Sequence, residues 1–458
     1  MAAAFDTALD AELTQWAEQT TGGRIVMQER LPGGNRREAW FVDVALANGT
    51  VRQLFLRCDH ADPLETGEHY TIHREAIFYR AVAGTAVRAP ALIAVHPARQ
   101  AMLTERACGS AQYSRQADEE TKLAVSRDLL RQLATLHRLP VAGLPAAVPG
   151  SRDTVTNAIC DEIDIWQDLY EQTGTRDPMI ELGLRWLRRN LPRDGRAPSL
   201  VHGDAGPGNF LFEGEQVTAL LDWELAHIGD PMEDLAWLSM RSTLEPMPAF
   251  PSLLREYAAA SGRAVDLDRV RYHRVLVEWR VLVIRHRQGG ANLANSLMSW
   301  TLNRRLFLEA MAQAAGLVGE LPDPVEAQAS DRQQFYDTIL ASFRDVIVAR
   351  STDALVLAHS KSSARLVKLL AQHDTLGAGI AAADHADILR LLGLSQDDPM
   401  TPVRAQALLC ERIRNGDIED LPLYQFLFRK TARETQLMRP VMGALASRSF
   451  PPLEDVQA

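Results

Sequence analysis

Lysine is nearly missing from this chain. Of 458 residues, 49 are lysine or arginine, yet the only lysines are Lys122, Lys361, Lys368 and Lys430. None precedes position 122, so any chemistry in the first quarter that needs a permanently charged side-chain cation must use arginine. Cysteine is as sparse: Cys58, Cys108, Cys160 and Cys410 are far apart, with no CxxC pair. That excludes a disulfide scaffold, a zinc ribbon and a dithiol redox motif, and predicts reduced thiols. No apolar run approaches the roughly 18 residues that span a bilayer. The stretch from Met1 to Trp16 carries Asp6, Asp10 and Glu12 instead of a basic start before an apolar run. A signal peptide and a membrane partner are therefore not expected, and a cytoplasmic location is. Positive charge is not in excess either. With 59 acidic residues against 49 basic ones the net charge is −10, which offers no global attraction for nucleic acid. The local basic runs Arg185–Arg189 and Arg285–Arg287 read as solvated or ion-paired helix faces.

What is present is ordinary globular material: 46% apolar and 24% charged residues over a length that suggests two or three domains. Between Arg24 and Arg106 the pattern is strand-like, at Arg24–Arg30, Ala39–Ala45, Val51–Arg57 and Ala101–Glu105. Turn residues separate these runs at Pro32-Gly33-Gly34-Asn35 and at Asn48-Gly49, the latter a strong hairpin signal. One helix interrupts them, around His69 to Ala83. Together these predict a small α+β lobe of antiparallel strands.

From about Asp118 to Gly319 the periodicity is helical. Leu123, Leu129, Leu130, Leu133 and Leu136 line one helix; others cover Ile163–Tyr170, Asp266 to Arg287, and Ala294–Ala315. The segment Ser199–Trp237 breaks this texture with short β-type runs at Ser199–His202, Phe210–Phe212 and Val217–Leu221. Loops of this kind on a helical scaffold suggest a functional site. A linker-like stretch follows Gly319, and helices are expected at Arg332–Ala349, Ala354–Gln372, Ala383–Leu392 and Pro402–Arg414. The expected division is 1–106, 107–320 and an all-helical 328–458.

Chemistry concentrates in Val201-His202-Gly203-Asp204-Ala-Gly-Pro-Gly-Asn209 and in Leu220-Leu221-Asp222-Trp223-Glu224. An aspartate follows one buried-looking strand, an asparagine comes five residues later, and a second aspartate closes another strand. Phosphoryl transfer requires this set. One carboxylate orients the attacking hydroxyl and accepts its proton, while an amide oxygen and a second carboxylate hold Mg²⁺ against the ATP phosphates. A polar loop in which Asp204 and Asp222 merely cap helices is the plain alternative, but it does not require this joint order and spacing. A metallohydrolase would want further metal ligands, and His227 is the nearest candidate.

The run His202-Gly203-Asp204…Asn209…Asp222-Trp223-Glu224…Gly229-Asp230-Pro231…Asp234-Leu235-Ala236 resembles the motif of aminoglycoside phosphotransferase and choline-kinase-like enzymes. The resemblance is sharp over Ser199–Trp237 and extends over roughly residues 20–320. It is nearest to kinase domains fused to some acyl-CoA dehydrogenases and to their bacterial stand-alone relatives. It implies a two-lobed, protein-kinase-like α+β fold with a small antiparallel-sheet N-lobe and a mainly helical C-lobe, here followed by an all-helical domain. It makes Asp204 the catalytic residue, Asn209 and Asp222 the metal ligands, and ATP and Mg²⁺ the expected cofactors. His202 is taken to be structural, and Asp230 and Asp234 to stabilise the loop through backbone hydrogen bonds.

Kinases of this fold use a lysine on the third strand, paired with a helix glutamate, to contact the phosphates. Here Arg57 stands in that position, with Glu75 on the following helix. Arginine is permanently charged and can bind phosphate bidentately, so the exchange is compatible with catalysis. Gly34 and Asn35 lie in a turn whose N–H groups could approach phosphates, although neither GxGxxG nor GxxxxGK[ST] is present. Met102–Ala107 resembles the hinge whose backbone, at Glu105 and Ala107, would bind adenine. The expected acceptor is a small molecule, foremost a (4-)hydroxyacyl-CoA; an aminoglycoside, choline or a non-catalytic scaffold role are the alternatives, and a homodimer is left open. Trp279-Arg280 and Arg285-His286-Arg287 are a candidate surface for an anionic acceptor.

Overall fold

The computed structural model describes residues 8–31, 37–59, 69–116, 118–288 and 293–455. Its strands are β1 (Gly23–Arg30), β2 (Arg37–Leu46), β3 (Val51–Asp59), β4 (Leu92–Val95), β5 (Ala101–Glu105), β6 (Ser199–Val201), β7 (Phe210–Glu213), β8 (Gln216–Leu220) and β9 (His227–Gly229). The first helices are α1 (Ala11–Thr21), α2 (Ile72–Val82), α3 (Glu119–His137), α4 (Val155–Glu171), α5 (Pro178–Arg189), α6 (Pro231–Leu244) and α7 (Phe250–Ser261). Then come α8 (Leu267–Gln288), α9 (Leu293–Ala315), α10 (Gln333–Ala341), α11 (Ala354–Gln372), α12 (Ala378–Leu391), α13 (Pro402–Asn415) and α14 (Asp420–Met442). Among the described residues no helix is long and apolar enough to cross a membrane.

Two compact units emerge from the packing. The first holds residues 1–165, 192–270 and 451–458, and the second residues 166–191 and 271–450. In the first, β1, β2, β3, β5 and β4 form, in that order, an antiparallel sheet. Alternation decides which face is covered: Trp40, Val42 and Val44 on β2, and Leu54, Leu56 and Cys58 on β3, are all buried. Helix α1 lays Leu13 and Ala17 on this cluster, each such leucine contributing about 1.5–3 kcal/mol. The Asp10 carboxylate caps α1 by accepting the N–H groups of Glu12 and Leu13, and Gly22 ends it in the left-handed region.

The Asn48-Gly49 hairpin is present: Gly49 has φ +82°, and Ala45 pairs with Val51 across it. Two further two-stranded pieces, β6 with β9 and β7 with β8, carry the candidate site. In the second unit α14 packs against α9, α11 and α12, while α13 lies on α5. The basic run on α5 is ion-paired as expected, with Arg185 and Arg189 both on Asp420. The α+β lobe and the C-terminal helices agree with the expected class.

Candidate active site

The β7–β8 hairpin does the first positioning. Its register sets Phe210 opposite Leu220, and the Leu221 N–H donates to the Asn209 carbonyl at 2.8 Å. Asn209 and Asp222 thus flank the open end of one hairpin. Asp222 sits at φ 63°, ψ 63°, a left-handed conformation uncommon for a side-chain-bearing residue. Such outliers gather at functional sites, where surrounding contacts over-determine them.

Asp204 follows β6, and its loop is fixed by Asp234 of α6. Asp234 accepts the backbone N–H groups of His202 and Gly203, both at 2.8 Å, and meets His137 Nε2 at 2.8 Å. Burial alone would raise the Asp234 carboxyl, yet these hydrogen bonds and the neighbouring histidines hold it below the usual carboxylate range. Gly203 has φ +76°, and a Cβ there would lie 2.2 Å from the Leu225 carbonyl oxygen, so the position admits only glycine. His202 is buried, and its Nε2 bonds the Leu221 carbonyl at 2.9 Å while the ring lies against Trp223. Asp230 caps α6 through the Met232 N–H and takes Arg269 at 2.8 Å. Asp234 therefore makes the loop-stabilising backbone hydrogen bonds expected of it, whereas that of Asp230 caps its own helix.

Arg57 and Glu75 meet. One guanidinium nitrogen of Arg57 donates to Glu75 Oε1 and to Asp222 Oδ1, each at 2.8 Å, and the other reaches Glu224 Oε2 at 3.3 Å. Arg37 adds a second cation, bonding Glu75 at 3.2 Å and pairing with Glu224. Arg74 of α2 ties down the following loop by donating to the carbonyls of Glu224 and Ala226, both at 2.7 Å. Burial pushes Glu75 up to about 7, and burial and the adjacent Asp222 push Glu224 up as well. Asp222 goes the other way: burial would raise it, but Arg57 holds it below the usual carboxylate range.

Glu75, Asp222 and Glu224 offer carboxylate oxygens within 4.8 Å of one another. This is a set of hard donors, of the kind a small divalent cation takes. The Asn209 amide N–H group faces Asp204, at 2.7 Å from its Oδ2, so the amide oxygen is the atom Asn209 could offer a metal.

The remaining expectations fare unevenly. Gly34 and Asn35 lie outside the described residues. The Glu105 N–H already donates to the Ala91 carbonyl at 2.9 Å, so an adenine contact there would have to use the Glu105 carbonyl. Its side chain pairs with Arg52. Ala107 follows directly after β5, beyond Arg106, whose N–H donates to the Gln53 carbonyl. The candidate anion surface on α8 needs correction. Trp279 and Arg280 are fully buried, Trp279 donating to the Ile180 carbonyl and Arg280 lying over the Trp166 ring. His286 bonds Thr175 Oγ1 at 2.9 Å. Trp279 and Arg280 therefore take no part in such a surface, whereas Arg285, His286 and Arg287 are only half-buried.

Arg241, on the last turn of α6, escaped the sequence reading. Its Nε donates to Asp204 Oδ1 at 2.9 Å, and its Nη2 pairs with Asp204 Oδ2. A signal existed: Arg241 follows Asp234 by seven residues, two helical turns, and so shares its face toward the Asp204 loop. Arg37 had no such signal, since its partners lie 38 and 187 residues away.

Residues 28–273, just over half the chain, match the phosphotransferase enzyme family. The chain belongs to that family. The phosphotransferase is 33% identical over 112 residues to human acyl-CoA dehydrogenase family member 11, covering 24% of this chain and 14% of the relative. Against acyl-CoA dehydrogenase IBR3 of Arabidopsis thaliana it is 30% identical over 174 residues, covering 31% and 21%. The chain thus spans about a fifth or less of the length of these curated relatives. A homoserine kinase of Methylocella silvestris is 27% identical over 157 residues, 30% of this chain and 46% of that one. Among solved structures, a Ralstonia eutropha protein assigned as an aminoglycoside phosphotransferase superposes with a TM-score of 0.52 at 20% identity. It covers 68% of this phosphotransferase and 99% of its own chain. The fold is protein-kinase-like, as in that solved structure.

Proposed function

We propose that this phosphotransferase moves the terminal phosphoryl group of ATP onto a hydroxyl of a small molecule, foremost a (4-)hydroxyacyl-CoA during catabolism. The reading is carried by one cluster of contacts: Asp204 bonded to Asn209, Asn209 joined through its hairpin to Asp222, and Asp222 paired with Arg57. Asp204 orients the acceptor hydroxyl and takes its proton late in transfer. Arg57, braced by Glu75, offsets phosphate charge. Asn209 and Asp222 would hold Mg²⁺, which supplies charge neutralisation for the phosphates when bound. The Glu105 carbonyl and the Ala107 N–H would add the adenine contacts among the described residues. Nucleotide binding is assigned to residues 1–106, the acceptor to 107–320, and a separate task to 328–458.

Two observations support the choice of acceptor. Several relatives are named as acyl-CoA dehydrogenases. A guanidinium, that of Arg241, covers the Asp204 carboxylate, which disfavours a polycation such as an aminoglycoside at that position. The test is mass spectrometry of products from a panel of hydroxyacyl-CoAs, aminoglycosides, choline and sugars with MgATP. One added phosphoryl group on a 4-hydroxyacyl-CoA, lost by at least about 10³-fold in Asp204→Ala, is expected. Transfer to an aminoglycoside and to no thioester overturns the acceptor. No transfer by the wild type to any member of the panel would instead identify a non-catalytic protein.

A further inference from the structure

A carboxylate offers about four lone-pair directions, and the neighbours of Asp204 occupy them unequally. Oδ2 accepts two donors, Arg241 Nη2 and Asn209 Nδ2. Oδ1 accepts one, Arg241 Nε at 2.9 Å. Among the described residues, the open direction is thus on Oδ1. The loop is also shaped around this arginine. Gly206 has φ +145°, and a Cβ there would lie 2.6 Å from Arg241 Cβ and 2.8 Å from its Cγ. The Ala-Gly-Pro-Gly turn between Asp204 and Asn209 therefore closes over the Arg241 stem while the guanidinium grips the carboxylate.

We infer that Arg241 is a positioning residue for phosphoryl transfer, clamping the Asp204 carboxylate so that Oδ1 alone faces the acceptor hydroxyl. This rests on the reading of Asp204 as the proton acceptor. As the acceptor oxygen bonds to the γ-phosphorus, its proton passes to Oδ1. The bond from that phosphorus to the bridging oxygen breaks, and its electron pair leaves with ADP. The proton returns to solvent after product departs. A carboxylate free to rotate would spend much of its time with neither oxygen aligned, and misplacement of a reacting group by about 1 Å can cost 10²-fold.

The experiment is a double-mutant cycle on the full chain, following ADP release from MgATP with 4-hydroxypentanoyl-CoA, or with water where the thioester is refused. Arg241→Ala should lower kcat about 10²-fold while KM for MgATP stays within about threefold. Arg241→Lys, which keeps one cationic donor nitrogen in place of the two-point fork, should recover part of the loss. In an Asp204→Ala background, Arg241→Ala should change the residual rate by less than about threefold, because the two residues act as one unit. Arg241→Gln keeps the stem that packs on Gly206 and serves if the alanine variant fails to fold, as judged by its melting curve. An equal loss in both backgrounds, a loss confined to KM, or no loss of kcat overturns the inference. If Asp204→Ala itself leaves the rate unchanged, the proton-acceptor reading fails instead.

Discussion

Arg57 shows how much one side chain is asked to do. It bonds Glu75, which is fully buried, and at the same time Asp222 and Glu224. Removing it leaves Glu75 to Arg37 alone, and breaking a buried pair costs about 3–5 kcal/mol. Arg57→Ala should therefore lower the melting temperature and weaken MgATP use by at least about tenfold in kcat/KM. Arg332→Ala, which removes an exposed pair with Asp374, should change either by little. Equal effects in steady-state kinetics would mean the nucleotide site lies elsewhere. This pair was legible in the sequence because lysine is missing before position 122 and because strand order puts Arg57 before the helix bearing Glu75. Arg37 was not, since its partners come from folding and not from spacing along the chain; for Arg241 only its two-turn spacing from Asp234 pointed toward the Asp204 loop.

At the scale of elements, β1 to β3, β5 to β8 and the Asn48-Gly49 turn were legible in the sequence, as were most helices, whereas β4, β9, α1, α6 and α7 were not. Nor was α14, whose sequence carries Pro422 and Pro440. Both occupy end turns of that helix, where a missing N–H or a kink is tolerated. The stretch after Gly319 that reads as a linker is tied to α14, with Gln436 donating to the Val325 carbonyl and Gln425 to Glu320. The contact between α6 and the Asp204 loop yields a prediction of its own. Asp234→Asn replaces one acceptor oxygen with an amide N–H group that faces a donor. Leaving such a buried group unsatisfied costs about 1–3 kcal/mol, and here it also releases the backbone beside Asp204. Urea melts should show that loss, with kcat falling more than KM for MgATP rises; an unchanged kcat would separate the loop from catalysis.

For the molecule as a whole, consecutive segments are what a sequence can show, whereas the compact units join 1–165 with 192–270 and 166–191 with 271–450. Buried charge is likewise invisible until the chain has folded. Glu278 on α8 is fully buried, and among the described residues neither carboxylate oxygen has a hydrogen-bond partner. Burial, and then the nearby Glu309, raise it well above its ordinary value near 4.5, with Arg305 opposing. The native state therefore holds a proton that the unfolded chain gives up above about 4.5. Stability from this group is fully present below that pH and is lost as pH rises toward the folded value, by up to about 1.4 kcal/mol per unit. Glu278→Gln keeps the side-chain size and removes the titration. Its melting temperature should lie close to that of wild type at pH 5 and progressively above it through pH 7.5. A constant offset between the two curves at every pH would show that Glu278 is ionised in the folded protein, and that Arg305 compensates the charge more strongly than burial penalises it.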